Sequence, residues 1–451
     1  MNTSFFDQKN FSPRPRLLLS AYQCAPEMGS VSQIGWQWYS HLAKRVPVTL
    51  ITHIRNQPAL ESAGAPFPHS EIIFIDTEYF AGPLYRSLSR FFPKSEYAVS
   101  LLSFADFYFY DMLAVKQMKK RQQAGERWDI VHQVTPVSPK SITRLYTLNC
   151  PVVLGPWNGG LTLPLAFPKV ILQDVNWMYP LRHFGNLIEL FWQSLPHASV
   201  ILTATQATFA SIPKKFHSRC QYFLENGVDL ELFNSTPWPP PPSSSQPLHI
   251  VFVGRLMAFK GVPMLLEALA RLKNYRPLRL TIVGQGPREK EWKKLANRLE
   301  LDQIVTWYGA ATHTQIVHQL YQAHVLCLPS VRESGGSVLL EAMACARPVL
   351  AVDHGGPGEI IDDQVGQVVS AQGKNQLVEG LVNSLNDIFE HPQAWRKRGE
   401  MARQRAEMLY SWESKVDRIL TIYKSLLVES PMQKKSLPRN NIIHRTEPHI
   451  D

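Results

Sequence analysis

The sequence predicts an α/β fold with two doubly wound parallel-sheet domains that face a central cleft. Three observations support this prediction. Short runs rich in valine, isoleucine and leucine alternate with longer runs of helical spacing, a pattern typical of strand–helix–strand units. Most of the short runs are apolar on both faces, as in a parallel sheet that helices cover on each side. A proline- and serine-rich segment at 235–247 divides the 451 residues into two parts, each large enough for a domain.

The strands predicted in the first part are Arg16–Ser20, Val48–His53, Glu71–Ile75, Asp129–Val134, Val152–Leu154, Val200–Thr203 and Tyr222–Leu224. Those predicted in the second part are His249–Val253, Arg279–Val283, Ile304–Tyr308, Val325–Pro329, Val349–Val352 and Gln367–Val369. We therefore expect, in chain order, a flexible N-terminal segment (1–15), a first domain (16–234), a linker (235–247), a second domain (248–410), a helix that crosses back to the first domain (411–428) and a disordered basic tail (429–451).

The composition is that of a basic, globular protein. Hydrophobic residues make up 45% of the chain, charged residues 19%, and the formal net charge is +10. This charge favours anionic partners such as phosphorylated substrates or acidic lipid headgroups. The sequence lacks the interleaved aromatic and basic residues of nucleic-acid-binding modules, so we expect no nucleic-acid partner.

The cysteine pattern and the lengths of the apolar runs indicate the compartment. The five cysteines are scattered and show no CxxC spacing, which argues against a disulfide framework and against a zinc site. No run is long and apolar enough for a secretory or transmembrane segment. We therefore expect a cytoplasmic protein whose membrane contact is restricted to a peripheral one.

Two cations follow the first predicted strand of the second domain. Arg255 leaves the carboxyl end of that strand, and Lys260 lies at the start of a helix that begins near Gly261. A cation is unfavourable there because the helix dipole is positive at its N-terminus. A bound diphosphate would remove this conflict, since it suits both cations and the exposed N–H groups of the helix. The alternative is two solvated surface cations.

A second loop leads into a helix that is apolar on all sides. Gly335 and Gly336 open it, and their N–H groups, with those of Ser337 and Val338, are expected to face a diphosphate. The helix carries one acid, Glu341, and a buried carboxylate needs hydrogen-bond donors. Paired ribose hydroxyls would supply them. An ion pair of Glu341 with Arg347 or a neighbouring residue is the alternative.

These residues carry a resemblance to a known family. Glu333 and Glu341 have seven residues between them, and the stretch PSVRESGGSVLLEAMACARPVLAVDHGG resembles the EX7E segment of retaining glycosyltransferases of family 4. Those enzymes have the GT-B fold, in which two Rossmann-like domains face a cleft. The Gly254-Arg255 and Lys260-Gly261 pairs and the Asn226-Gly227-Val228-Asp229 segment also fall where that family has them. The resemblance extends from about Leu17 to Leu427.

The resemblance implies specific roles on the donor side. Arg255 and Lys260 would bind the diphosphate of a nucleotide-sugar, and Glu341 would hold the ribose hydroxyls. Glu333 would lie beside the donor sugar and the transition state as a catalytic residue. The family usually needs no metal ion, and we expect no cofactor beyond the nucleotide-sugar substrate. The acceptor would be a saccharide or a lipid-linked sugar, as in the synthesis of polysaccharides and glycoconjugates.

The first domain offers weaker candidates. Gly29 and Ser30 form a turn between the first strand and a helix, which is a phosphate-loop position or a plain turn. One subgroup of the family has Gly-Ser-Glu there, whereas this chain has Val31 in place of the acid. Asn158 and Gly159 lie in a glycine-dense loop that is expected to approach the acceptor. His132 falls where the family has a histidine that contacts the donor sugar; a hydrogen-bonded core histidine is the alternative.

The aromatic stretch at 97–115 also permits two interpretations. We favour a helix packed on the sheet, and the alternative is an apolar acceptor groove or a surface in peripheral contact with an anionic membrane. Two rival functions use the same architecture, namely a nucleotide-sugar epimerase and a non-catalytic nucleotide-sugar-binding protein. An epimerase should show ring carboxylates in both domains, and the intact set Arg255, Lys260, Glu333 and Glu341 argues against a non-catalytic protein.

Overall fold

The computed structural model of the chain describes residues 14–26, 28–79, 96–141, 143–161, 165–168, 170 and 194–429. Most of the predicted flexible N-terminus and nearly all of the predicted disordered tail lie outside these residues. Within them the chain forms two sheets, and the strand pairs of both sheets are parallel. The predicted fold class of two doubly wound parallel-sheet domains is confirmed.

The first sheet has seven strands. They are β1 (Leu17–Ala21), β2 (Val48–His53), β3 (Ser70–Ile75), β4 (Ile130–Thr135), β5 (Val152–Trp157), β6 (Val200–Thr203) and β7 (Cys220–Tyr222). Their order across the sheet is β3-β2-β1-β4-β5-β6-β7, so the strand order reverses between β1 and β4. Doubly wound sheets bind ligands beyond the carboxyl ends of their strands, at such a reversal. The α-helices described in this part are α1 (Ser30–Ala43), α2 (Gln57–Ser62), α3 (Glu96–Gln123), α4 (Ser194–His197) and α5 (Gln206–Ser211).

The second sheet has six strands in the order β10-β9-β8-β11-β12-β13, with a reversal between β8 and β11. They are β8 (Leu248–Val253), β9 (Leu278–Val283), β10 (Val305–Gly309), β11 (Val325–Leu328), β12 (Val349–Val352) and β13 (Gly366–Val369). The helices that follow these strands are α6 (Val262–Leu272), α7 (Glu289–Arg298), α8 (His313–Gln322), α9 (Ser337–Ala344), α10 (Gly356–Ile360), α11 (Lys374–Glu390) and α12 (Pro392–Arg405). A π-helical turn (Ala406–Tyr410) leads to the last helix, α13 (Trp412–Glu429).

Each predicted strand has a counterpart in the structure, and most ends agree within one or two residues. The largest difference is β5, which continues through Gly155 and Pro156 to Trp157. Gly155 has a φ of 98°, and a Cβ added to it would lie 2.4 Å from the carbonyl oxygen of Leu202. The glycine therefore lets β5 approach β6 closely, whereas its residue type had suggested that the strand ends before it.

The proline-rich segment predicted as a linker is attached to the second domain. The indole Nε1 of Trp238 donates to the carbonyl of His324 over 2.8 Å, and Nε2 of His324 lies 2.9 Å from the carbonyl of Pro240. Arg347 reaches the carbonyl oxygens of Thr236 and Pro237 at 3.0 Å each. These contacts hold residues 236–240 of the segment against the second domain.

Helix α13 returns the chain to the first domain. Its buried residues Trp412, Val416, Ile419 and Tyr423 belong to the same apolar core as Trp38 of α1. At the surface, Nη2 of Arg45 lies 2.5 Å from the carboxylate of Asp417. The second domain is therefore bounded by two chain crossings, one after β7 and one before α13.

Helix α3 contains the aromatic stretch at 97–115 noted in the sequence. Phe107, Tyr110 and Met118 are fully buried in the first domain, so this part of the helix packs on the sheet. Phe109 and Met112 on the same helix are exposed. Among the residues that the structure describes, no helix is both long and apolar enough to span a membrane.

Candidate active site

The structure joins Lys260 of one strand–helix connection to Glu333 of another. Lys260 ends a short 3-10 turn after β8, and Glu333 lies in the loop between β11 and α9. Their side chains form an ion pair, and only 15% and 13% of the two side chains are exposed. Because each charge offsets the other, neither is left uncompensated in this partly buried position. The pair lies beyond the carboxyl ends of two neighbouring central strands.

A glycine explains how the two connections come so close. Gly261 precedes α6 and has a φ of 71°, a left-handed conformation that glycine adopts readily. A Cβ at this position would lie 1.9 Å from the carbonyl oxygen of Pro329, at the end of β11. No other residue fits without moving the backbone, so Gly261 fixes Lys260 beside the β11–α9 loop.

Arg255 has a different environment from Lys260. It follows Gly254 at the carboxyl end of β8, as the sequence predicts, and its side chain is exposed. A Cβ added to Gly254 would lie 3.9 Å from Nζ of Lys260, so the two cations leave the strand in the same region. This arrangement places two cations at one edge of the second sheet, and cations are suited to phosphate groups.

Close backbone contacts hold the loop of Glu333, Ser334, Gly335 and Gly336, which we call the donor loop. Gly356 donates its N–H to the carbonyl of Glu333 over 3.1 Å, and a Cβ on Gly356 would lie 1.9 Å from the carbonyl of Ser334. Gly336 has a φ of 53° and caps α9, whose first residue is Ser337. The first N–H groups of a helix, which in α9 include that of Val338, have no partner within the helix and can donate to an anion.

Glu341 lies on α9 among buried neighbours and is itself half-buried. Burial raises the pKa of its carboxyl group to about 7, and a hydrogen bond with the Ser337 side chain opposes this shift. Arg347 does not pair with Glu341. Its fully buried guanidinium instead donates to Thr236 Oγ1 at 2.7 Å and to backbone carbonyls that include those of Leu320 and Tyr321, both at 2.9 Å. The alternative of a Glu341–Arg347 ion pair is therefore wrong, because the arginine is committed to the linker and to α8.

Asn158 and Gly159 lie at the boundary between the domains. Nδ2 of Asn158 donates to Oε1 of Glu225, a fully buried carboxyl group in the crossing after β7. Gly159 is held within the first domain by the Thr208 hydroxyl group, which accepts from its N–H at 3.0 Å and donates to its carbonyl at 2.9 Å. Asn158 thus contacts the chain segment that leads to the second domain.

Gly29 and Ser30 form an open turn at the start of α1. Gly29 has a φ of 94°, both residues are exposed, and no described atom lies within 4 Å of a Cβ built on Gly29. The structure does not bring this turn into contact with the residues of the donor loop that it describes.

The structure favours the core interpretation of His132 over a contact with the donor sugar. The ring is fully buried, its Nδ1 lies 2.5 Å from the hydroxyl of Tyr423, and its Nε2 lies 2.6 Å from the carbonyl of Gly155. Burial lowers the pKa of the ring to about 4, so it stays neutral near pH 7. With both nitrogens engaged and Trp38 packed edge-on at 5.6 Å, the side chain has no free atom for a ligand. These contacts agree with the alternative of a hydrogen-bonded core histidine, because β4 directs His132 toward α1 and α13.

Sequence reasoning missed two polar features near the cleft. Glu225 directly precedes the Asn226-Gly227 pair after β7, and the available signal was a charged residue that follows the buried Phe223 and Leu224. The second feature is Glu359 of α10, whose carboxylate accepts the N–H of Gln206 at 2.9 and 3.0 Å. Since Gln206 begins α5 of the first domain, this contact joins the two domains.

A polar cluster also occupies the carboxyl ends of the first strands in the first domain. Asp106 is buried and accepts from the Tyr22 hydroxyl at 2.6 Å, and it pairs with Nη1 of Arg55 at 2.9 Å. His53 bonds the hydroxyl of Thr77 at 2.8 Å within the same cluster. Arg55 is partly exposed and also pairs with a surface carboxylate. Within the described ranges, no group of three or more metal-ligating side chains is arranged to hold a metal ion.

The two doubly wound domains, with candidate residues at the carboxyl ends of their strands, define the GT-B class of fold. The structure of sucrose-phosphate synthase from Thermosynechococcus elongatus resembles this chain with a TM-score of 0.62 and 19% sequence identity, over 92% of this chain and 100% of that one. At this identity the likeness establishes the fold alone. It covers both domains.

Sequence comparison then identifies the second half of the chain. Residues 239–404 match the family described as Glycosyl transferases group 1, so this part is a group 1 glycosyltransferase domain. Glycogen synthase from Mycobacterium tuberculosis is 29% identical over 227 residues, which are 50% of this chain and 52% of that protein. The D-inositol 3-phosphate glycosyltransferase of an Arthrobacter species is 26% identical over 309 residues, 65% of this chain and 68% of that protein. The matched region spans about half the length of the first of these relatives.

Proposed function

We propose that this protein is a retaining glycosyltransferase that moves a sugar from a nucleotide-diphospho-sugar to a saccharide or lipid-linked acceptor. It would act without a metal ion, in the synthesis of a polysaccharide or glycoconjugate. The Lys260–Glu333 pair carries this proposal, because it lies at the start of α6 and beside the glycines of the donor loop. Cations and free helix N–H groups at one place are suited to a diphosphate.

The donor binds mainly to the second domain in this proposal. Lys260 and Arg255 neutralise the diphosphate, and Glu341 accepts hydrogen bonds from the ribose hydroxyls. In the structure Lys260 is paired with Glu333, so an arriving phosphate shares the ammonium group with that carboxylate. Glu333 is thereby held next to the sugar carbon from which the phosphate departs, where a carboxylate stabilises developing positive charge.

The reaction takes place on one face of the donor sugar. The bond between the anomeric carbon and the diphosphate oxygen breaks, and the acceptor oxygen forms its bond to the same face of that carbon. The proton of the acceptor hydroxyl passes to the departing phosphate oxygen, so charges and atoms balance without a protein nucleophile. The acceptor enters from the first domain, where Asn158 and the Gly29–Ser30 turn are the candidate contacts.

The rival functions lack a supporting observation. The buried acid of the first-domain cluster, Asp106, bonds Tyr22 and Arg55, so it is engaged within its own domain rather than available as a ring carboxylate of an epimerase. The two named relatives are both sugar-transferring or sugar-polymerising enzymes by name. These observations support transfer over epimerisation.

The proposed function is tested with a panel of UDP, GDP, ADP and their diphospho-sugars. We expect one nucleotide series to raise the melting temperature, because a ligand that binds the folded state stabilises it. The sugar of that series is then supplied with candidate saccharide and lipid-linked acceptors, and NMR of the product reads the anomeric configuration. Inversion would contradict the retaining mechanism, and the absence of binding across the whole panel would contradict the nucleotide-sugar donor.

A further inference from the structure

Glu225 lies where three parts of the molecule meet. Its Oε1 accepts from Nδ2 of Asn158, in the loop after β5, and from Nδ2 of Asn226 at 3.1 Å. A Cβ added to Gly335 would lie 1.9 Å from the same Oε1, so the donor loop rests directly on this carboxyl group. One buried side chain therefore contacts the first domain, the crossing between the domains and the donor loop.

The segment that carries Glu225 is part of the hinge between the domains. Residues 224–228 run beside residues 410–415, the second crossing. Val228 donates to the carbonyl of Tyr410 at 2.9 Å, and Trp412 donates to the carbonyl of Val228 at 3.2 Å. A Cβ on Gly227 would lie 2.8 Å from the Trp412 ring, so the two crossings are packed without space between them. A change in the angle between the domains must therefore move Glu225 relative to either Asn158 or Gly335.

The charges around Glu225 show why a carboxyl group is tolerated there. Lys415 is buried on α13, donates to the carbonyl of Leu224 and packs on the Phe223 ring at 4.3 Å. Glu333 of the donor loop is the nearby like charge, itself paired with Lys260. Burial raises the pKa of Glu225, with the Asn158 hydrogen bond and Lys415 opposing the shift and Glu333 adding to it.

The two oxygens of the Glu225 carboxyl group have different surroundings. Oε2 of Glu225 is enclosed and has no hydrogen-bond partner among the described residues. No described group replaces the solvation of this oxygen. The other oxygen, Oε1, accepts from both amide groups and is therefore the atom that fixes the position of the carboxyl group.

We propose that Glu225 is a positioning residue of the donor site, which couples the interdomain hinge to the donor loop through Asn158 and Gly335. This inference rests on the proposed function, since it assumes that the donor loop binds a nucleoside diphosphate. Glu225 does not touch the ligand. It fixes the place of Gly335, and thereby the N–H groups at the start of α9.

The test compares two substitutions of Glu225 with matched changes at Asp111. Asp111 is also a buried acid of the first domain, but it accepts from Thr143 and from the N–H of Arg144 on the α3 side of the sheet. Glu225→Gln keeps the shape and the accepting oxygen, whereas Glu225→Leu removes both polar atoms. Asp111→Asn and Asp111→Leu are the controls. Dissociation constants for UDP, GDP and ADP are measured by calorimetry below the melting temperature of each variant.

We expect Glu225→Leu to weaken binding of the nucleotide that the wild-type chain prefers by at least about tenfold, and Glu225→Gln to stay within about threefold. The Asp111 variants should lose thermal stability and keep the wild-type dissociation constant. Asn158→Ala, a milder change at a half-buried residue, should weaken binding as well. Its effect should not add to that of Glu225→Leu, because both remove the same link.

Three results would overturn the inference: Glu225→Leu binding as tightly as the wild type, Glu225→Gln binding as weakly as Glu225→Leu, or additive effects at Glu225 and Asn158. If Glu225→Leu does not fold, Glu225→Gln and Asn158→Ala still test the inference. Wild-type nucleotide affinity of Asn158→Ala would exclude a coupling of the hinge to the donor loop through Asn158. A wild-type chain that binds no nucleotide overturns the proposed function itself. A wild-type chain that binds, with Lys260→Ala that does not, supports that function whatever the Glu225 variants show.

Discussion

Two glycine turns, one in each domain, precede helices at the carboxyl edge of their sheet and have opposite surroundings. Gly29 and Gly336 each cap a helix that follows a strand, and each has a positive φ, 94° and 53° respectively. No described atom lies within 4 Å of a Cβ built on Gly29. A Cβ built on Gly335, the residue before Gly336, would lie 1.9 Å from Oε1 of Glu225. The donor loop is thus enclosed by residues from both domains, and the turn of the first domain is open.

This difference shows that the donor loop, on the side of the second domain, is held in place by more contacts than the Gly29 turn, on the side of the first domain. The donor loop is held by Gly356 from the second domain and by Glu225 from the hinge before any ligand arrives. Such preorganisation places charges and N–H groups without further cost when the ligand binds. The open turn at Gly29 leaves room for different acceptors, so we expect substitutions there to have smaller effects.

The largest effect is expected at the Lys260–Glu333 pair. Lys260→Ala should abolish transfer and weaken nucleotide binding by roughly 10–100-fold, because a hydrogen bond to a charged group contributes about 1.5–3 kcal/mol. Glu333→Ala should also abolish transfer while nucleotide binding largely persists. Calorimetry and a transfer assay measure the two quantities separately.

Lys374→Ala is the matched control for Lys260→Ala. Lys374 also lies at the start of a helix and pairs with a glutamate, Glu267, at 2.7 Å, but its side chain is exposed. It should keep wild-type binding and transfer. Full activity of Lys260→Ala would show that the diphosphate assignment is wrong.

The second prediction compares the two glycine turns directly. Gly335→Ala should weaken nucleotide binding by more than about tenfold, because the new Cβ would overlap the Glu225 carboxyl group and displace the donor loop. Gly29→Ala should cost about 1 kcal/mol of stability through its positive φ and leave nucleotide binding unchanged. Melting temperatures and dissociation constants distinguish these outcomes. Equal losses of nucleotide affinity in Gly335→Ala and Gly29→Ala would contradict the prediction that the donor loop is the more tightly held of the two turns.

The third prediction concerns pH and Glu341. Its pKa of about 7 in the free protein lies above the ordinary value, so the folded chain holds a proton that the unfolded chain releases, and this contribution to stability falls as pH rises from about 4.5 to 7. Ribose hydroxyls that donate to the ionised carboxylate lower this pKa in the complex. Nucleotide affinity should therefore rise with pH toward 7 and level off above it.

Glu341→Gln is the reference for this measurement. The terminal phosphate group of a nucleotide also titrates, near pH 6, and its contribution is the same in both proteins. The difference between wild type and Glu341→Gln at pH 6 and pH 8 isolates the carboxyl group, and we expect up to about tenfold. Identical pH profiles for the two proteins would exclude Glu341 as the ribose ligand.

The smallest effect on nucleotide binding is expected at His132. His132→Phe leaves the Tyr423 hydroxyl and the Gly155 carbonyl without their partner, and each unpaired buried group costs about 1–3 kcal/mol. Chemical denaturation should show this loss of stability, with unchanged nucleotide affinity in the folded variant. A large loss of donor-sugar binding at full stability would restore the catalytic role that the sequence suggested.

The fold could be predicted because strand-forming runs and helical spacing are local properties of the chain. The strand candidates appear in the structure, and the errors fall where glycine and proline obscured a strand, as at Gly155 and Pro156. Arg255, Lys260 and Glu333 could be proposed because each follows a strand, and parallel strands end at a common edge. The role of His132 could not be decided in this way, since a histidine near a strand end suits either a core or a site.

The sequence by itself determined the two parallel sheets, the division between them and the set of charged and glycine residues that follow the central strands. Only the tertiary structure decided which of these residues meet. In the folded chain Lys260 pairs with Glu333, and Arg347 donates to the linker. His132 is hydrogen-bonded to Tyr423, and Glu225 contacts Gly335. Such contacts join residues far apart in the chain, and residue spacing carries information about near neighbours alone. The packing of the two sheets, their helices and the hinge brings the distant ones together.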